Sequence, residues 1–141
     1  LLHSVEKDFS SHPSSGNNQL VLTIQSDLPE ISADPERLIQ VITNLISNAD
    51  RHTQNGTITI SLTGEPGWQT ICVSDTGTGM SEEMRKNALK GYVSADKDYW
   101  RHGIGLYVCH QIITAHGGKI WLKSKEGEGT QVFFSLPEEE S

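Results

Sequence analysis

The chain has 141 residues, with 11 Lys and Arg against 18 Asp and Glu, and a formal net charge of −7 at pH 7. This length fits one domain that buries about two-thirds of its unfolded surface, so that it needs no metal or disulfide to fold. The acidic balance argues against a nucleic-acid partner. No apolar run approaches the roughly 20 residues of a membrane span, and no signal peptide is visible. We therefore expect no membrane contact by this domain.

The predicted elements alternate between helices and strands without a regular βαβ repeat. In chain order we expect an apolar-faced helix near residues 1–9, a loop over 10–18, a strand over 20–24, a helix over 35–52, strands over 57–63 and 69–74, a short helix from Ser81, a helix over 104–115, and strands over 119–123 and 131–136. This order predicts an α/β fold, a two-layer sandwich with a mixed sheet and helices on one face. We assign residues 1–137 to the domain and 138–141 to a solvated tail.

The two cysteines lie in apolar segments. Cys72 belongs to a predicted strand and Cys109 to a predicted helix. Buried, unpaired thiols are therefore expected at both positions, and such thiols fit a reducing compartment.

The helix predicted over residues 35–52 carries polar residues beside its apolar face, and Asp34 is its expected N-cap. On a wheel of about 100° per residue, Asn44, Asn48 and Arg51 fall on one line. Carboxamide oxygens can ligate a hard cation, and an arginine can meet an anion. The alternative is a solvated helix flank, although asparagine is a poor helix former.

A carboxylate and two glycines follow the apolar run that ends at Val73, in the segment Asp75-Thr76-Gly77-Thr78-Gly79. A buried carboxylate needs a hydrogen-bond donor or a cation, and glycine lets a ligand approach the backbone closely. The segment therefore favours a ligand that donates hydrogen bonds, such as an exocyclic amine. A strand-ending Asx turn is an equal alternative.

A second glycine pair lies in Arg101-His102-Gly103-Ile104-Gly105-Leu106, just before an apolar helical segment. Glycines that open a helix favour an anion site, because free N–H groups and the positive end of the helix dipole converge there. The pattern lacks the spacing of a dinucleotide-binding motif or a P-loop, so it is weak evidence alone.

These motifs, in this order, resemble the ATP-binding catalytic domain of sensor histidine kinases, within the class that includes gyrase, heat-shock chaperone and mismatch-repair ATPases. Residues 44–53 are similar to the N box, 75–80 to the first glycine box, 103–106 to the second, and 127–137 to the closing strand. The resemblance covers nearly the whole chain. It implies the fold of this class, with a mostly antiparallel sheet and three main helices on one face.

The resemblance also implies a role for each matched residue. Asp75 would accept the adenine amino group, and Asn48 would ligate Mg²⁺ with Asn44 in support. Arg51 would face the phosphates, with His52 beside them. The full nucleotide-binding set that it implies is Asn44, Asn48, Arg51, His52, Asp75, Gly77, Gly79, Met80, Arg101, Gly103, Ile104, Gly105, Leu106 and Thr130.

The activity that the resemblance implies is that of a protein-histidine kinase of a two-component system, with ATP and Mg²⁺ as cofactors. Its domain would donate the γ-phosphate to a histidine on a separate dimerisation and phosphoacceptor domain. None of the six histidines has the phosphoacceptor context of the family, so we expect that domain outside this chain. A response regulator would be the partner of the full-length kinase. We expect this domain to be cytoplasmic, which is compatible with a membrane anchor elsewhere in the full-length protein.

Two departures from the family pattern keep alternatives open. Arg101 stands where the second glycine box often has a further glycine. The phenylalanine-rich box is absent, and Tyr92, Tyr99 and Trp100 are the aromatic residues between the two glycine boxes. One alternative keeps the fold and makes the chain a protein-serine kinase of the anti-sigma type. The other is a nucleotide-sensing domain that has lost kinase activity.

Overall fold

A computed structural model describes residues 17–28, 31, 33–88 and 97–138, and gives the backbone alone for residue 87 and residues 97–105. Its strands are β1 (Gln19–Ile24), β2 (Thr57–Glu65), β3 (Trp68–Asp75), β4 (Lys119–Ser124) and β5 (Thr130–Pro137), and its helices are α1 (Pro35–His52), α2 (Glu82–Asn87) and α3 (Lys97–Ala115). No helix in these ranges is long and apolar enough to cross a membrane. The helix predicted over residues 1–9 lies outside the described residues.

The five described strands form one sheet in the order β1-β2-β3-β5-β4. The pair β1–β2 is parallel, and the other three pairs are antiparallel. The register aligns apolar residues across the sheet, since Ile60 lies opposite Val73 and Val73 lies opposite Val132. The mixed, mostly antiparallel sheet is therefore confirmed.

One face of the sheet forms the core together with the helices. Alternate strand residues point to that face, because successive side chains of a strand alternate in direction. The buried apolar residues there are Ile58, Ile60, Ile71, Val73, Val132, Phe134 and Leu136, and the helices add Leu38, Val41, Ile42, Leu45, Ile46, Ala49, Leu106, Cys109 and Ile113. The opposite face keeps Trp121 exposed. This arrangement confirms the two-layer α/β sandwich.

Helix α1 has the bounds that its sequence predicts. The Asp34 side chain accepts a hydrogen bond from the Glu36 amide at 3.0 Å, and Pro35 takes the first helical position. The Asp34 side chain satisfies one of the free amides of the first turn, and Pro35 has no amide proton that needs a partner. The helix ends at His52, because Thr53 is extended, with φ −124° and ψ 136°.

Helix α3 begins at Lys97, ahead of the start predicted at residue 104. Gly103 and Gly105 therefore lie inside a helix and do not open it, so this part of the prediction is wrong. Glycine costs a helix only about 1 kcal/mol relative to alanine, a penalty that neighbouring turns can offset. The contact of these glycines with a nucleotide stays a prediction.

Glu138, which we assigned to a solvated tail, is part of the fold. Its amide donates to the Gly67 carbonyl at 2.9 Å, and its carboxylate accepts from the Gly67 amide at 3.1 Å. These bonds attach it to the turn between β2 and β3, a contact that local composition does not reveal. Residues 139–141 lie outside the described residues.

Candidate functional site

The turn that follows β3 docks on the end of α1. The Thr78 amide donates to the His52 carbonyl at 3.0 Å, so the turn satisfies a terminal carbonyl that a helix leaves without an internal partner. A Cβ atom on Gly77 would lie 2.1 Å from that same oxygen. Gly77 is therefore required by close packing of protein backbone, whereas the sequence suggested approach of a ligand.

The turn between β4 and β5 holds the other side of this glycine turn. The Gly127 amide donates to the Thr78 carbonyl at 2.8 Å. Gly79 has φ +71°, and a Cβ atom there would lie 2.1 Å from the Lys125 carbonyl oxygen. Residues 77–79 are thus fixed between α1 and the β4–β5 turn.

Asp75 ends β3 and is 9% exposed. Its Oδ1 atom accepts hydrogen bonds from the amides of Gly77 at 2.9 Å and Thr130 at 3.3 Å. The bond to Gly77 makes an Asx turn, which was the alternative to a ligand site. Charge-assisted bonds of this kind orient a carboxylate. Because Asp75 and Thr130 lie directly opposite each other in the sheet, the two side chains are neighbours on its core-facing side.

Asn48 is 6% exposed, and within the described part of the chain its Oδ1 atom has no hydrogen-bond partner. A buried amide oxygen without a partner costs about 1–3 kcal/mol, so its retention on α1 suits a residue that meets a ligand. An amide oxygen is also a ligand that a hard cation accepts. Among the described residues, no group of three or more His, Cys, Asp or Glu side chains could hold a metal ion.

Asn44 lies one turn before Asn48, at the contact between α1 and α3. Burial raises the pKa of the Cys109 thiol to about 12, although a hydrogen bond with the Asn44 side chain lowers it in part. Both cysteines are buried and free, as predicted. The Cys109 thiol also lies 3.7 Å from the Val41 carbonyl oxygen of α1, so Asn44 belongs to the region where α3 packs against the helix that carries Asn48.

Arg51 and His52 lie next to the glycine turn. They line a cleft of about 440 Å³ together with Gln54, Thr76, Gly77 and Thr78. The tertiary structure thus brings the end of the predicted N box and the first glycine box together.

The remaining residues of the predicted set divide into two groups. Met80 and Leu106 are each 1% exposed and pack in the apolar core. The backbone of Arg101, Gly103, Ile104 and Gly105 lies in α3, but their side chains lie outside what the structure describes. Residues 89–96, between the two glycine boxes, are outside it as well.

Two site residues were missed by the sequence analysis. Asn18 donates from Nδ2 to the Thr53 carbonyl at 2.8 Å and to Asp50 Oδ1 at 2.9 Å, which attaches the start of β1 to the end of α1. Ser124 ends β4 and bonds both to Met80 and to Thr130. Neither residue belongs to a local motif, so only their distant partners reveal them.

The fold and the site define an ATP-binding domain of the histidine kinase type. A family model described as "Histidine kinase-, DNA gyrase B-, and HSP90-like ATPase" matches residues 33–140, and the chain belongs to this family.

Among its relatives, the adaptive-response sensory kinase SasA of Synechococcus elongatus is 38% identical over 141 residues, which cover 97% of this chain and 36% of that kinase. The chain thus spans about a third of the length of such relatives. The catalytic domain of histidine kinase ThkA superposes with a TM-score of 0.83 at 27% identity, over 97% of this chain and 91% of that one. ThkA in complex with response regulator protein TrrA gives a TM-score of 0.78 at 26% identity, over 98% of this chain and 39% of that one.

A methyl group at Gly77 is expected to disturb the site. Gly77→Ala places its Cβ against the His52 carbonyl, so the turn must move away from α1. We expect a stability loss of about 1–3 kcal/mol in a thermal melt, as for other overpacked positions. Binding of an ATP analogue, measured by calorimetry, should fall at least about tenfold.

Gly67→Ala is the matched control, because Gly67 has φ +83° with no heavy atom within 4 Å of an added Cβ, and lies at the other end of β3. It should cost stability through backbone strain and leave the ATP affinity unchanged. Wild-type affinity in the Gly77 variant would contradict the role given to this contact.

Proposed function

We propose that the chain is the catalytic domain of a protein-histidine kinase, which binds Mg-ATP and presents the γ-phosphate to a histidine on a separate dimerisation and phosphoacceptor domain. The observation that carries the proposal is Asp75, a residue 9% exposed whose carboxylate is oriented by two backbone amides at the end of the sheet. Membership of the ATPase family and the kinase names of its relatives support the proposal.

Asp75 is the residue that selects the base. Its carboxylate offers acceptors and no donor, so it favours the exocyclic amine of adenine over the carbonyl that guanine has at that position. Thr130 lies beside it in the register of β3 and β5 and contributes a hydroxyl to the same end of the sheet.

Asn48 is the residue that meets the metal ion. Mg²⁺ is usually held by one or two protein oxygens together with nucleotide phosphates and water, and the Asn48 amide oxygen fits that requirement. When bound, Mg²⁺ neutralises charge on the phosphates. Arg51 lies at the cleft beside the glycine turn, where its guanidinium can pair with a phosphate group.

The domain acts by positioning. Its residues hold the base and phosphates, while the attacking imidazole belongs to another domain, so that alignment of the two reactants supplies the catalysis. Alignment of this kind can contribute about 7–11 kcal/mol of the barrier. A response regulator then receives the phosphoryl group from the phosphoacceptor histidine, and the complex of ThkA with TrrA supports such a partner.

Asp75→Asn tests the contact with the base. The variant keeps Oδ1 for the amides of Gly77 and Thr130 and loses the charge, so the thermal melt without ligand should change little. ATP binding should weaken by about 1.5–3 kcal/mol, the range for a hydrogen bond to a charged group. The control is Asp27→Asn, at an exposed carboxylate with φ 62° that asparagine tolerates. ATP affinity equal to wild type in Asp75→Asn would refute the assignment.

Asn48→Ala tests the metal contact. ATP binding in excess EDTA should change little, while the gain in affinity on adding Mg²⁺ should shrink by at least about half, because one oxygen leaves the coordination shell. Ser47→Ala, at the exposed neighbouring position on α1, should keep the full magnesium effect. A magnesium response in Asn48→Ala that equals wild type would move the ligand elsewhere.

Phosphotransfer from labelled ATP tests the kinase activity itself. The 141-residue chain alone should label its own histidines negligibly, because transfer needs a phosphoacceptor histidine aligned with the γ-phosphate and we expect that histidine on a separate domain. Adding the phosphoacceptor domain of a homologous kinase as a separate protein should give slow labelling, because the linker's effective concentration is lost. The label should be acid-labile and base-stable. An acid-stable phosphoserine on the added protein would support a protein-serine kinase, and binding of ATP without transfer would support a nucleotide sensor.

A further inference from the structure

Ser124 joins the three parts of the site that surround Asp75. Its Oγ atom lies 2.8 Å from the Met80 amide nitrogen, 3.0 Å from the Gly129 carbonyl oxygen and 2.8 Å from the Thr130 hydroxyl oxygen. These contacts connect the exit of the glycine turn, the β4–β5 turn and the start of β5. No motif in the sequence contains Ser124.

The donors and acceptors around Ser124 determine where each proton lies. A serine hydroxyl has one proton and two lone pairs. The Met80 amide can only donate to Ser124, and the Gly129 carbonyl can only accept from it. The single Ser124 proton is therefore used on Gly129, so the contact with Thr130 requires the Thr130 hydroxyl to be the donor.

This direction restricts Thr130. Its only hydroxyl proton points to Ser124, so the lone pairs of its oxygen remain for other partners. Thr130 is 6% exposed and lies directly opposite Asp75. The base would thus meet two neighbouring groups that accept hydrogen bonds, a carboxylate and a hydroxyl.

We propose that Ser124 is a positioning residue for nucleotide selection, because it holds the Thr130 hydroxyl as an acceptor towards the base. The inference rests on the proposed binding of ATP. This arrangement favours a purine whose group at position 6 donates a hydrogen bond to the Thr130 hydroxyl, either directly or through a bridging water. It disfavours a purine with a carbonyl at that position. Without Ser124, the Thr130 proton could turn towards the base and serve such a carbonyl.

The test compares ATP with inosine triphosphate, which has a carbonyl in place of the adenine amine and a proton on N1. Dissociation constants for both nucleotides are measured with Mg²⁺ by calorimetry on wild type, Ser124→Ala and Ser124→Thr. We expect the preference for ATP, which is the ratio of the two dissociation constants, to fall about fivefold to tenfold in Ser124→Ala. A change of this size corresponds to the loss of one hydrogen bond. Ser124→Thr keeps the hydroxyl and should restore the wild-type preference.

Two further variants keep the test independent of a loss of stability. Ser74→Ala makes the same change on the outer face of β3, which β5 separates from β4. The Ser74 side chain has no hydrogen bond to the described residues, so this variant should behave as wild type. Thr130→Val removes the hydroxyl that Ser124 orients, which is the other partner in this hydrogen bond. Ser124→Ala should narrow the ATP preference no further in a Thr130→Val background, because both changes remove one interaction.

The outcomes separate this inference from the proposed function. If wild type prefers ATP and Ser124→Ala weakens both nucleotides equally, Ser124 supports the fold alone and the inference is overturned while ATP binding stands. An additional narrowing in the double variant would also overturn it, since Ser124 would then act without Thr130. A wild-type chain that binds neither nucleotide would overturn both proposals.

Discussion

The backbone contact between the turn after β3 and the end of α1 is the constraint on which the site depends. The Thr78 amide bonds to the last carbonyl of α1, on His52, and no side chain fits at Gly77 between them. Asn48 lies one helical turn before that carbonyl, and Asp75 lies just before the turn. This main-chain contact therefore joins the helix that carries the residue proposed for the metal to the turn that follows the residue proposed for the base.

The rest of the site is a small polar network inside an apolar core. Asp75, Thr130 and Ser124 are bonded to each other or to backbone amides, and Met80 and Val132 beside them are buried. Buried polar groups stabilise a protein only when their partners are in place, and a network with every member bonded is rigid. Rigidity suits a domain whose proposed contribution to phosphoryl transfer is the placement of a nucleotide.

Local pattern predicted much of the fold. Alternating apolar residues predicted all five described strands to within two residues at each end, and Asp34-Pro35 predicted the start of α1. The predicted start of α3 is wrong because glycine often marks a helix boundary, whereas this helix tolerates two glycines in its interior. Glu138 was assigned to the tail because its partner, Gly67, lies far away in sequence.

The sequence by itself determined the order of the elements, the buried face of each, and the motifs that carry Asn48, Asp75 and the glycines. These features depend on backbone dihedral angles and side-chain periodicity, which act over a few residues. Only the tertiary structure reveals the close backbone contact that requires glycine at Gly77. It alone also reveals which distant residues hold the parts of the site together. Asn18 bonds to Gly56 across 38 positions, and Ser124 bonds to Met80 across 44. Contacts over such separations depend on how helices and sheet pack together, and no local pattern encodes them.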